Sequence, residues 1–171
     1  MKESFEKMPS GKEKLHKLEQ TGQYVFHGSP IGDIKILEPR QSKHFPDRQK
    51  PKEFILDGKP AVSATPYSDI SIFASIINKE NIPISFRSGY GASDDKLKFS
   101  ISSEKVLDEV DGKVGYVYVF DRKDFEPYNR DGQATEKSME WRAYKKIKPI
   151  EIIEVNSDDL PEKETIEITG N

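Results

Sequence analysis

The sequence predicts a mixed α+β domain. Three observations carry this: several short apolar runs of strand length, one internal apolar stripe at helical spacing, and no regular strand–helix alternation of the kind that builds a doubly wound parallel sheet. About six to eight short strands can be counted along the 171 residues. That length suits one hydrophobic core. The chain is 34% hydrophobic and 33% charged, yet its apolar residues fall in dense runs, and nine Phe, seven Tyr and one Trp supply bulk for a core. A wholly disordered chain would lack both features.

Composition also removes several function classes. The net charge of −3 gives no strong positive field to steer the protein onto duplex nucleic acid. With no Cys, disulfide staples, thiolate metal sites and thiol nucleophiles are excluded. A zinc site would need carboxylates beside the three histidines, His16, His27 and His44, and no metal is expected. No run approaches ~18 consecutive apolar residues, so no membrane partner is expected. Met1 to Gln20 is charged throughout and lacks the apolar segment of a secretory leader, which makes the reduced cytoplasm the expected compartment.

Residues 1–20 read as a charged N-terminal helix or arm, capped by Ser10, stopped near Gly22 and exposed to solvent. Residues 21–160 read as the single domain, and 161–171 as a frayed polar tail. Tyr24-Val25-Phe26-His27 is a short buried strand running into the tight turn of Gly28-Ser29-Pro30. Ile34, Ile36 and Leu37 form a second small cluster. Residues 38–60, with four prolines and many charges, form a long irregular segment of the kind that borders a site or simply crosses the surface. Ala61 to Ala64 resembles a strand ended by Thr65-Pro66. Ser68 is placed to cap a helix whose Ile70, Phe73, Ala74 and Ile77 share one face.

Ile82–Phe86 and Leu97–Ile101 read as two strands joined by the glycine-rich turn Ser88-Gly89-Tyr90-Gly91-Ala92. Val114 to Phe120 is the strongest strand, apolar on both faces and so central in a sheet. Asp121 to Asp131 is polar, and 128–138 reads as a loop. Met139 to Ala143 alternates apolar Met139, Trp141 and Ala143 with charged Glu140 and Arg142. Ile150 to Val155 reads as a last strand.

Standard catalytic signatures are absent: there is no G-x-G-x-x-G, Walker A, H-E-x-x-H or G-x-S-x-G. The adjacent acidic pairs Asp94-Asp95, Asp108-Glu109 and Asp158-Asp159 have no spacing that would make them face each other. Two residues stand out. His27 ends an apolar strand beside a glycine, where it either aims into a cleft or rests on a backbone carbonyl. Glu140 lies between two apolar residues, either pinned at a site or turned outward beside Arg142.

Taken in order, Val25-Phe26-His27-Gly28-Ser29, then Val62-Ser63-Ala64-Thr65 with a helix carrying Phe73-Ala74, then Glu140-Trp141 at the start of a late strand, resembles the ADP-ribosyltransferase superfamily. The likeness is to its poly(ADP-ribose) polymerase-like branch with a His-Tyr-Glu site, and it spans residues 24–155. The resemblance implies two small, packed, mostly antiparallel sheets with few helices around an NAD cleft. It implies His27 on the adenosine ribose, the Gly28 backbone on the nicotinamide carboxamide, and Ser29 on the nicotinamide ribose. Glu140 would hold the 2′-hydroxyl of that ribose while positive charge builds during glycosidic cleavage.

The chain departs from the pattern at Phe73, where the family stacks a Tyr on the nicotinamide, and at Val62, where it often has another Tyr. Tyr67 or Tyr90 would then complete the ring contact. Ser138 stands where the arginine-modifying members carry a Glu, so the acceptor stays open among protein, nucleic acid and small molecule. The expected function is NAD-dependent ADP-ribosyl transfer by a glycosyltransferase, or NAD glycohydrolysis, with release of nicotinamide. The alternatives are a non-catalytic NAD- or nucleotide-binding module that keeps the fold and, ranked lower, an RNA 2′-phosphotransferase-like enzyme. The sequence sets no oligomeric state.

Overall fold

The computed structural model describes residues 8–93 and 95–170. The first seven residues of the charged arm, and Asp94 of the Asp94-Asp95 pair, lie outside the described residues. In chain order the elements are α1 (Gly11–Gln20), β1 (Tyr24–Ser29), β2 (Lys43–His44), β3 (Ile55–Leu56), β4 (Val62–Ala64), α2 (Ser68–Ile76), β5 (Ser88–Ser93), β6 (Lys96–Ile101), α3 (Lys105–Glu109), β7 (Val114–Asp121), β8 (Glu126–Tyr128), β9 (Glu140–Ala143), β10 (Glu151–Asn156) and β11 (Ile166–Ile168). The class is α+β, with few helices and small, mostly antiparallel sheets.

The strands form three three-stranded sheets, in the orders β1-β7-β10, β4-β9-β8 and β11-β6-β5, and the small β2-β3 hairpin. β7 is central in its sheet, antiparallel to both neighbours, and its Val117 to Phe120 are buried, as the doubly apolar sequence predicts. The first two sheets touch at one bridge. Phe26 and Thr65 exchange both backbone hydrogen bonds at 2.8 Å, and β1 joins β4 nowhere else by a strand ladder among the described residues. Beyond Phe26 the two strands diverge, and that divergence opens a cleft.

Helix α2 closes the back of the cleft. It lies on β1 and β7 because two glycines leave room. A Cβ on Gly28 would stand 2.1 Å from the Ser71 carbonyl oxygen, and one on Gly115 would stand 2.2 Å from Ser75 Oγ. The missing side chain at Gly28 therefore serves helix packing. Both long faces of α2 are apolar. Ile70 and Phe73 join the cluster under β6 and β11, whereas Ile72 and Ile76 join the cluster over β7 and β10.

Several elements differ from the sequence expectation. Helix α1 begins at its Ser10 cap, whose Oγ accepts from Glu13 N at 3.2 Å. It is not a solvated appendage: Leu15 is fully buried, and His16 Nε2 sits 2.8 Å from Asp69 Oδ1 of α2. Ser68 does not cap α2. The Glu19 carboxylate of α1 does so, accepting from Ser68 N at 2.5 Å. Ile82–Phe86 is not a strand. The glycine-rich segment read as the turn is itself strand β5, in register with β6, and the reversal follows Ser93. β8, unread in the sequence, holds Pro127 on the outer edge of its sheet, where no ladder donor is required. The tail is not frayed: Ile166 is buried and β11 pairs parallel with β6. No helix is long and apolar enough to cross a membrane among the described residues.

Candidate functional site

The cleft between β1 and β4 is a hollow of about 180 Å³ whose walls include His27, Gly28, Ser63, Ala74, Tyr90 and Glu140. Four elements distant in sequence, β1, β4, α2 and β9, thus converge with β5 on one small cavity. The hollow is smaller than the usual volume for a whole organic ligand, so it suits one ring-sized group. Two wider clefts adjoin it. One, of about 430 Å³, shares His27 and Ser63 and runs past Ser29 to Arg40. The other, of about 530 Å³, shares Tyr90 and Glu140 and runs to Asp57 and Arg130.

His27 is held firmly. Its Nδ1 donates to the Ser63 carbonyl at 2.7 Å, and its ring meets Tyr118 edge-on with centroids 6.3 Å apart. Burial pushes its pKa below the ordinary 6.5, the Ser63 bond opposes this, and the charge of Arg40 adds to the lowering. The ring is therefore neutral at pH 7 with its proton on Nδ1, which makes Nε2 an acceptor without a protein partner among the described residues. Both sequence readings hold together: His27 rests on a backbone carbonyl and also lines the cleft.

Gly28 presents backbone. Phe26 directs its N–H and C=O away from β7, toward Thr65. Strand alternation turns the N–H and C=O of Gly28, two residues on, to the same side, where β4 has already diverged. A donor and an acceptor thus face the hollow side by side.

Glu140 opens β9, half-buried, with its carboxylate ion-paired to Arg142 Nε. Sequence alternation placed Arg142 on a solvated face. In the structure it is 1% exposed. Its guanidinium lies 3.6 Å from the Tyr128 ring centroid, Nη1 donates to the Asp57 carbonyl at 2.6 Å, and Nη2 is 3.3 Å from Asp57 Oδ2. Tyr128 in turn donates its hydroxyl to Asp57 Oδ1 at 2.5 Å. Burial alone would raise the Asp57 carboxyl. The Tyr128 hydroxyl and the charges of Arg142 and Arg130 outweigh it and hold the group below 3.8. Burial likewise disfavours the charge on Arg142, but its bond to Glu140 and the two carboxylate charges keep it protonated. Glu140, Arg142, Asp57 and Tyr128 therefore form one network that fixes the carboxylate at the cleft wall. Arg142 and Asp57 were missed as functional residues. The available signal was that residues 140 and 142 share one face of a strand.

The other expected site residues are dispersed. Phe73 does not line the hollow. Its ring is 1% exposed and packs on Phe99, centroids 5.0 Å apart, in the core behind α2. Tyr67 donates its hydroxyl to Lys137 O at 3.0 Å, tying down the loop before Glu140, and does not line the hollow either. Ser29 is buried, accepts from Ile31 N at 3.1 Å, and belongs to the adjoining cleft on the Arg40 side. The aromatic ring at the hollow is Tyr90 of β5, about half exposed, whose hydroxyl is raised above 10 by burial and by the nearby Glu140 charge.

No protein-family model, curated protein or solved structure matches this chain.

Proposed function

We propose that the protein cleaves NAD at its nicotinamide–ribose bond and transfers the ADP-ribosyl group to an acceptor, or to water, in an ADP-ribosyltransferase-like fold. The observation that carries this reading is the presence of His27, the open backbone pair of Gly28 and the fixed carboxylate of Glu140 on the walls of one ring-sized hollow. The Gly28 N–H and C=O match the acceptor and donor of a carboxamide, so nicotinamide occupies the hollow. Tyr90, and not Phe73, supplies the aromatic face. The rest of the dinucleotide extends past His27 toward Arg40, where the bare Nε2 accepts a ribose hydroxyl.

In the reaction the glycosidic C–N bond breaks and its electron pair leaves with neutral nicotinamide. Positive charge grows on the ribose, and the Glu140 carboxylate, aligned by Arg142, offsets it. A lone pair of the acceptor hydroxyl or water forms the new bond to the anomeric carbon. Its proton passes to Glu140 and then to solvent. The interactions of Glu140 strengthen in the transition state, so it raises turnover more than affinity.

One observation favours a second reading, an NAD-binding module without catalysis: the Glu140 carboxylate is already engaged by Arg142. Thermal unfolding with millimolar NAD tests what the two share. Both predict a rise in melting temperature by mass action, and no rise would reject both.

A further inference from the structure

We propose that the hollow beside the β2-β3 hairpin binds a phosphate of a single-stranded nucleic acid. The hollow, about 530 Å³, is walled by Lys43, His44, Phe45, Arg48, Pro51 and Arg130, with no carboxylate among them. Although the chain is net acidic, residues 40–59 hold six Lys and Arg against three Asp and Glu. Lys43 and Arg48 are exposed, and neither lies within 4.0 Å of a carboxylate oxygen among the described residues. Uncompensated cations around a concave wall attract an anion.

Aromatic rings stand beside the cations. Phe45 and Phe54 are 41% and 44% exposed, with centroids 6.1 Å apart, and Lys43 Nζ sits 4.2 Å from the Phe54 centroid. Ile55 and Leu56 extend the apolar surface. Exposed rings interleaved with free cations form the platform on which successive bases stack while phosphates are neutralised. A phosphopeptide calls instead for a cluster of free arginine forks converging on one dianion. Here Arg48 is free but Arg130 is not: its Nε is 3.8 Å from Asp57 Oδ2, and Nη1 donates to His44 Nδ1.

Arg130 also joins this hollow to the cleft that holds Asp57 and Glu140. A strand lying on the hairpin leads toward the Glu140 carboxylate, and its role as acceptor rests on the proposed transferase reading. Its binding does not.

The test is fluorescence anisotropy of labelled single-stranded oligonucleotides of roughly 12 residues, as RNA and as DNA, with the full chain and no NAD present. Saturable binding that weakens between about 50 mM and about 200 mM salt is expected. Changing both Lys43→Ala and Arg48→Ala should weaken binding about tenfold or more and flatten the salt slope by about 1.4, the loss of two phosphate contacts on a single strand. Phe45→Ala should weaken binding about tenfold with the slope unchanged. These side chains are exposed, and a circular dichroism melt of each variant confirms the fold. Absence of binding at the lower salt, a slope untouched by the double substitution, or equal competition by a phosphopeptide of matched charge would overturn the proposal. Binding is read without NAD and without turnover, so failure of NAD chemistry leaves this result standing.

Discussion

His27 donates its Nδ1 proton to the carbonyl of Ser63 across the gap where β1 and β4 part, at 2.7 Å. That bond fixes the tautomer, turns the ring toward the hollow and spans the two sheets on either side of the cleft. Its consequence is a pH dependence. The folded pKa of His27 lies below 6.5, the value expected in the unfolded chain. The unfolded state therefore binds the proton first as pH falls. The contribution of His27 to stability is complete above pH 6.5 and is lost as pH drops from there through the folded value. Urea denaturation across this window should show stability declining with acid, and His27→Gln should flatten the decline. An unchanged profile in the variant would mean that another group sets it.

Arg142→Met should destabilise the protein by about 3 kcal/mol or more, because it leaves the Asp57 and Glu140 carboxylates without their shared cation. Equilibrium unfolding measures this. A loss under ~0.5 kcal/mol would show that the network is a surface pair of little weight.

Gly28→Ala should cost roughly 1–3 kcal/mol, since the new Cβ meets the backbone of Ser71 and α2 must move off the sheet. A shift in thermal midpoint reads the effect. Gly22→Ala is a useful contrast: nothing lies within 4 Å of its Cβ, so any cost there comes from its φ of +68° alone.

Phe73→Ala should cost about 3–5 kcal/mol through loss of core packing against Phe99. The milder Phe73→Leu should leave the NAD-induced melting shift unchanged, whereas Tyr90→Ala should diminish it. The opposite pattern would restore Phe73 as the stacking ring.

Much of this arrangement was legible in the sequence. The buried strand over Tyr24 to His27, the doubly apolar β7 and the apolar stripe of α2 follow from periodicity, because each buries a face whose pattern is local; the turn read at Gly28-Ser29 is instead the end of β1, held in the ladder by Val117 and Tyr116 of β7. Other features depend on contacts that local pattern does not encode. Apart from Tyr90, strand β5 is built from Gly, Ser and Ala, residues of low strand propensity, and exists because β6 offers a ladder partner. β8 tolerates Pro127 because it is an edge. Arg142 reads as a surface charge until Asp57, brought back by the long proline-rich segment, accepts its guanidinium. The capping of α2 by Glu19 likewise requires α1 to dock first.

The chromatographic measurement of nicotinamide released from NAD, native chain against Glu140→Gln, tests the central claim most directly. Steady release by the native protein is expected, with a fall of about 10²–10³-fold in the variant and an NAD-induced melting shift that the variant retains. Release at the native rate by Glu140→Gln would contradict the claim.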